Sequence, residues 1–281
     1  MPDANDEMAA LWDGALGEKW AADSDRYQRM SAGFRQLLVD AVEPRTGEIF
    51  LDVGCGHGAL TRELARLTTP GGRATGIDIS TPMLGVARQL AAQAELDNID
   101  FVRVDAQTAD LGEPVDAIVS QFGVMFFADH AAAFANLRRA LRAGGRLAYV
   151  CWQELGRQDW VMIPTLAALR HLPIPTVVPG GVGTAAFSLA DPDHNRQLLE
   201  TAGFTSITVD NVEAPEYQGA DIEDTIAYLQ RSEIATTLFA GAQPDVAAEA
   251  WHAIVDALAP YVTKDGVYLT GAAWLVQARS S

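Results

Sequence analysis

Apolar and polar positions along this chain follow two different periods. Between residues 7 and 42, Leu11, Trp12, Trp20, Tyr27, Met30, Phe34, Leu37 and Leu38 fall at helical spacing until Pro44 and Gly47 interrupt them. The rhythm then changes. Ile49–Val53 reads as a short buried strand entering a glycine cluster, with the helical stretch Ala59–Leu67 behind it. Ala74–Ile77 predicts a second strand and Pro82 a helix, which Ser80 or Thr81 can cap; proline in its first turn costs no hydrogen bond. Ile99–Val104, Ala117–Ser120 and Arg146–Trp152 predict three more strands, with a helix over Ala131–Leu141 that Gly144-Gly145 ends. Strand and helix alternate throughout 48–152, which calls for a parallel sheet covered by helices.

Beyond residue 152 the alternation breaks. Residues 155–190 carry Pro173, Pro175, Pro179 and a Gly-Gly pair around one helical stretch. A helix (Asp191–Ala202), a strand (Phe204–Val212), a mostly helical segment over 221–262 and a last strand (Val267–Ala278) follow. The expected organisation is an N-terminal helical cap (1–45), an α/β core (46–154), a lid insertion (155–190), a core helix and strand (191–213), a second helical lid insertion (214–264) and a final core strand (265–281). No boundary has linker composition and there is no internal repeat.

Charge narrows the partners. Thirty-seven acids against 20 bases give a net charge of −17, which repels phosphate backbones and anionic lipid. Nucleic acid and membrane surfaces are therefore not expected partners. The uncharged run Ala117–Ala128 is too short to span a bilayer, and the acidic N-terminus is unlike a signal peptide. Two cysteines, Cys55 and Cys151, suit a reducing compartment, so a cytoplasmic location is expected; the assembly expected is a monomer or homodimer. His57, His130, His171, His194 and His252 show no ligand spacing, and no metal is expected.

The chemistry concentrates at LDVGCGHGAL, residues 51–60. Glycines at 54, 56 and 58 let the backbone approach a ligand, and the following helix offers free N–H groups. Gly54-x-Gly56-x-x-Ala59 also satisfies a dinucleotide fingerprint, so the glycines alone do not decide. Three acids do more. Asp52 precedes the loop, where a carboxylate suits a cationic ligand end; Asp78 closes the second strand, placed for ribose hydroxyls; Asp105 follows the third, placed for an exocyclic adenine amine. Helix or turn capping is the plainer alternative for each. Ammonium, ribose and adenine together describe S-adenosylmethionine.

At LDVGCGHGA (51–59), GIDISTPML (76–84), VDA (104–106), VDAIVSQFGVMFF (115–127) and LRRALRAGGRLAYVCW (137–152) the chain resembles the class I S-adenosylmethionine-dependent methyltransferases, particularly the ubiquinone/menaquinone-biosynthesis-like small-molecule branch. The resemblance is strong over 48–152 and looser at the Trp-rich N-terminus and at GAAWLVQAR. It implies a Rossmann-like, doubly wound seven-stranded sheet whose last strand is antiparallel, with S-adenosylhomocysteine as product. By the same resemblance Asp52, Gly54 and Gly56 line the methionine portion. Asp78 and Ile79 take the ribose and adenine edge, Met83 packs on adenine, Asp105 and Ala106 flank it, and Ser120 and Gln121 lie beneath. Cys55 and His57 fill variable loop positions.

Trp20 and Tyr27 are expected to close over the cofactor mouth, and Phe122 and Met125 to wall an acceptor pocket, although packing accounts for them too. Cys151 reads as core. Methyl transfer needs alignment above all; if a base is required, His57, His130 and Tyr27 are the candidates and spacing does not choose among them. The expected reaction moves a methyl group to O, N or C of a small, largely apolar metabolite such as a quinone precursor or polyketide. The alternatives are a protein binding the same ligand for regulation or other chemistry, and an NAD(P)-dependent oxidoreductase. The latter fits poorly, because Lys19 and Lys264 are the only lysines and no Tyr-x-x-x-Lys pair exists.

Overall fold

Four short helices open the chain: α1 (Asp6–Asp13), α2 (Ala15–Ala22), α3 (Ser24–Met30) and α4 (Ala32–Val42). They are seen in a computed structural model that describes residues 5–174 and 185–281. Five parallel strands follow: β1 (Ile49–Val53), β2 (Arg73–Asp78), β3 (Ile99–Arg103), β4 (Val115–Gln121) and β5 (Leu141–Trp152). Helices α5 (Ala59–Leu67), α6 (Thr81–Gln93) and α7 (His130–Arg139) connect them. The second half adds α8 (Asp159–Ala168), α9 (Pro192–Thr201), β6 (Phe204–Gly219), α10 (Ile222–Leu229), α11 (Glu233–Leu238), α12 (Pro244–Leu258), β7 (Val262–Thr263) and β8 (Gly266–Ser280).

The sheet runs β3-β2-β1-β4-β5-β8-β6, with β8 antiparallel to both of its neighbours. It has eight strands rather than seven, because β7 pairs with β8 across a tight turn in which Thr263 Oγ1 donates to Gly266 O at 2.8 Å. Two residues are too few to leave a periodic signal. Alternation along the strands sorts the core into two faces: Leu51, Val53, Ile118 and Tyr149 pack with α7, whereas Phe50, Val119 and Val150 pack with Phe34, Leu38 and Val42 of α4. The last N-terminal helix is thus part of the sheet's cover.

β6 extends to Gly219, seven residues beyond the expected end, because β8 continues opposite it from Ala214↔Gly271 to Gly219↔Val267. This ribbon carries the helical segments expected above as a lid: Ala168, Leu172, Leu238, Ile254 and Leu258 form a separate apolar cluster with Leu269 of β8. The expected loop features Pro175, Pro179 and Gly180-Gly181 lie outside the described residues. Among the described residues, no helix is long and apolar enough to cross a membrane.

Candidate functional site

The first parallel strand delivers the backbone to its carboxyl-terminal edge, where Gly54, Gly56 and Gly58 take φ of 67°, 53° and 72°. Side chains would not fit there: a Cβ on Gly54 would lie 2.7 Å from Gly123 Cα, and one on Gly56 2.7 Å from Met83 Cε. The loop is tied down by Asp78, whose two carboxyl oxygens accept from Gly56 N and Ser80 N at 2.8 Å each. One carboxylate therefore sets both the glycine loop and the start of α6, and burial raises it above the usual carboxylate range despite those bonds.

Asp52 is 1% exposed. Thr61 Oγ1, on the first turn of α5, donates to its Oδ2 at 2.6 Å, while Oδ1 is buried without a partner among the described residues. Burial pushes Asp52 up to about 7. Asp105 is held by Asn5 Nδ2 at 3.0 Å and Gln107 N at 2.9 Å, both on Oδ1.

A cavity of about 890 Å³ joins these groups to the lid. Asp52, Gly54, Cys55, Gly56, Asp78, Ile79, Met83, Asp105, Ala106, Gln121, Trp20, Tyr27, Phe122, Met125 and His57 all border it. The Cys55 thiol itself packs under the loop, 2.8 Å from where Gly76 would carry a Cβ. Two expected residues stand apart from that wall. Ser120 is fully buried: its hydroxyl donates to Val53 O at 2.7 Å and accepts from Gly123 N and Val124 N at 3.2 Å, so it clamps the β1 and β4 ends together. His130 sits at the start of α7, with Nε2 3.3 Å from Ser188 Oγ.

The N-terminal helices reach the cavity through specific anchors. Asp13 Oδ1 accepts from Thr81 N at 2.7 Å, satisfying a free N–H of α6, and Asp13 Oδ2 meets Arg103 at 3.0 Å. Gly17 is flush against α6, since a Cβ there would lie 2.6 Å from Ser80 Oγ. Gln121 Nε2 donates to Ser31 O at 2.7 Å. These contacts hold Trp20 stacked on Tyr27, with centroids 3.8 Å apart, and Trp12 edge-on to Phe126 at 5.2 Å.

Phe122 adopts φ 60°, unusual for a residue with a side chain, and thereby stacks on Trp152 at 3.9 Å. His57 is pushed down to about 4 by burial and by Arg62 and Arg35, so its imidazole is neutral at pH 7. Burial pushes the Tyr27 phenol up.

Sequence reasoning missed much of the apolar end: Trp160, Tyr228, Phe239 and Trp251 line the cavity from α8, α10, the end of α11 and α12. It also missed Glu216 and Gln218 of β6, which line it too and are each 2% exposed. Alternation over Ala214, Glu216 and Gln218 was the available signal, masked by Pro215 and the polar neighbours.

Residues 50–145 match the family described as Methyltransferase domain. The aklanonic acid methyltransferase DauC of Streptomyces sp. (strain C5) is 35% identical over 162 residues, covering 53% of this chain and 73% of that protein. The ubiquinone/menaquinone biosynthesis C-methyltransferase UbiE of Hahella chejuensis (strain KCTC 2396) is 35% identical over 124 residues, covering 42% of this chain and 50% of that protein. Among solved structures, Haemonchus contortus phosphoethanolamine N-methyltransferase 2 in complex with S-adenosyl-L-methionine aligns with a TM-score of 0.59 at 17% identity, over 100% of this chain and 60% of that one. That last likeness is one of fold.

Proposed function

Because the chain belongs to the class I S-adenosylmethionine-dependent methyltransferases, we propose that its cavity brings a small, largely apolar acceptor to the cofactor's methyl group. The observation that carries this reading is the orphaned Oδ1 of Asp52, buried at the edge of a cavity that runs on into the apolar lid. A buried carboxyl oxygen without a partner suits an ammonium group, and Thr61 leaves that oxygen free by occupying the other one.

The cofactor, when bound, supplies a methyl group already activated on a sulfonium. The chain's own residues then have positional tasks. Gly54 and Gly56 give the amino-acid portion room against the backbone. Asp78 offers its remaining lone pairs to the ribose hydroxyls while holding Gly56 and Ser80. Ile79, Met83, Asp105 and Ala106 bracket the adenine, and Cys55 and Gln121 complete the wall. Ser120 acts from beneath, keeping the β1 and β4 loops in register. Trp20 and Tyr27 close the mouth, which excludes water and holds the acceptor in line. Phe122 and Met125 form the adjoining acceptor wall.

No dedicated base is assigned. The neutral His57 is a weak base, Tyr27 holds its proton, and His130 lies away from the cavity. The reaction as proposed needs no metal; among the described residues no group of His, Cys, Asp and Glu is arranged to hold one. The acceptors named for the relatives, aklanonic acid and the quinone precursors implied by UbiE's name, motivate polyketide- or quinone-like ring systems as acceptors. A monomer or homodimer in the cytoplasm that does not bind nucleic acid completes the reading, on the support of the acidic composition.

Titration calorimetry of folded protein with S-adenosylmethionine and S-adenosylhomocysteine tests the cofactor, and transfer of labelled methyl to an extracted metabolite pool tests the reaction. Binding by neither ligand would sink the reading; binding without turnover on any acceptor would reduce it to a ligand-binding role.

A further inference from the structure

Glu216 is a buried acid whose Oε1 has no partner among the described residues. Among the same residues no Lys, Arg or His lies within ion-pair distance of it. Cations are nearby but committed. Arg26 of α3 donates to Gln218 O at 2.5 Å and pairs with Asp23 and Asp224, while Arg29 stacks over the Tyr217 ring at 3.7 Å. Tyr217 points to the other side of β6, because successive residues of a strand alternate faces.

Space for the carboxyl has been made deliberately. A Cβ on Gly271, in β8, would lie 3.1 Å from both Glu216 Cδ and Phe34 Cε2. The Phe34 ring in turn meets Phe122 at 5.2 Å and Trp152 at 5.3 Å, both edge-on. Glu216 therefore stands one aromatic ring away from Phe122, the residue that follows β4 at the glycine-loop edge of the sheet. Gln218 borders the same cavity two residues on, its Nε2 donating to Glu216 O at 3.3 Å.

Resting on the methyltransferase reading above, we propose that Glu216, with Gln218 beside it, is the acceptor-recognition site: it hydrogen-bonds a neutral carbonyl or hydroxyl oxygen carried on an apolar ring system. Burial without a counter-charge pushes the Glu216 acid well above the usual carboxylate range, so it enters that contact as an O–H donor. An acid kept neutral by its apolar site discriminates by the hydrogen bond it is able to make, because a ligand lacking the oxygen leaves the group unsatisfied. A purely structural carboxyl would have a partner in the fold, and among the described residues this one has none for Oε1.

The test uses full-length protein saturated with S-adenosylhomocysteine and two shape-matched probes, 1-tetralone and tetralin, which differ by one carbonyl. Quenching of tryptophan fluorescence reads binding, since Trp152, Trp160 and Trp251 line the cavity. Wild type is expected to prefer 1-tetralone by about 10-fold, the scale of one buried hydrogen bond. Glu216→Leu is expected to abolish the preference, and Glu216→Gln to keep part of it. Both variants should bind S-adenosylhomocysteine within about 2-fold of wild type and melt at the same temperature or higher, because each removes an unpaired buried acid. An infrared carbonyl band of a protonated carboxyl at neutral pH, absent from Glu216→Gln and shifted by 1-tetralone, reports the contact directly. Equal affinity for the two probes in wild type, no binding of either, or a preference that survives in Glu216→Leu overturns the proposal. Failure to bind S-adenosylhomocysteine overturns the methyltransferase reading instead.

Discussion

The glycine-loop edge and the lid share one cavity but are built from different materials. At the edge, the main chain does the shaping. Asp78 bonds two backbone N–H groups, Ser120 bonds a carbonyl and two more N–H groups, and three glycines hold left-handed turns. In the lid, ring surfaces do it: Phe239 stacks on Trp251 at 4.4 Å and Trp160 tilts against Trp152 at 5.9 Å. Backbone-built geometry tolerates few residue types, because only glycine fits its turns and only a short acid reaches its amides. A surface made of rings accepts many apolar exchanges of similar volume. The two buried acids repeat the contrast, since Asp52 is oriented by Thr61 whereas Glu216 Oε1 has no partner among the described residues.

Substitutions should separate the two regions. Asp52→Asn keeps the side-chain shape but removes the charge, and is expected to weaken S-adenosylhomocysteine binding by about 100-fold or more, the scale of breaking one side of a buried charge pair. Calorimetry checks this; a loss below about 5-fold would remove Asp52 from the ammonium site. Asp78→Ala should cost at least about 10-fold by the same measurement, since it leaves ribose hydroxyls and the Gly56 N–H unpaired. Unchanged affinity would take Asp78 out of the site.

Acid should blunt the cofactor region alone. Asp52 rises to about 7, so below that pH it holds a proton that pairing with an ammonium must expel. Affinity for S-adenosylhomocysteine is therefore expected to fall by up to about 10-fold for each pH unit below 7, and to level off above it. The stability of the unliganded protein should run the opposite way. The native state keeps a proton on Asp52 that the unfolded chain, with an ordinary value of 3.8, has lost, so this contribution is complete below about 4 and lost as pH rises through 7. A flat pH profile for binding in wild type would contradict both. The smallest effect belongs to the lid: Phe239→Leu should change S-adenosylhomocysteine affinity by less than about 2-fold, and a large loss there would show that the two regions are not separable.

Much of the sheet could be read before any coordinates. The strand and helix pattern over 48–152 placed β1 to β5, and the DVGCG, GIDIS and VDA segments put their acids at three consecutive strand ends. The limits were equally specific. β6 reads as ending near Val212 because Glu213, Pro215, Glu216 and Gln218 do not look like a buried strand, yet β8 opposite them supplies the ladder. Ser120 was legible as a strand-end hydroxyl but not as a clamp on Val53 and Val124, which requires knowing that β1 and β4 are neighbours. His57 could be placed in the loop, while its neutrality depends first on its burial and then on Arg62 and Arg35 being close in space.

The sequence by itself determined the glycine-loop edge and the family, because glycine turns and strand-end acids must stand at set intervals along the chain to build a backbone cradle. The negative charge served at first only to argue against polyanionic partners; a few of those acids then took their places in the cavity. What only the tertiary structure decided was the apolar side of the cavity: which rings face one another, that Gly271 leaves room for Glu216, and that among the described residues no cation pairs with it. Those relations join α4, β6, β8 and the lid helices across long separations in sequence, where local spacing carries no record of which residues will meet.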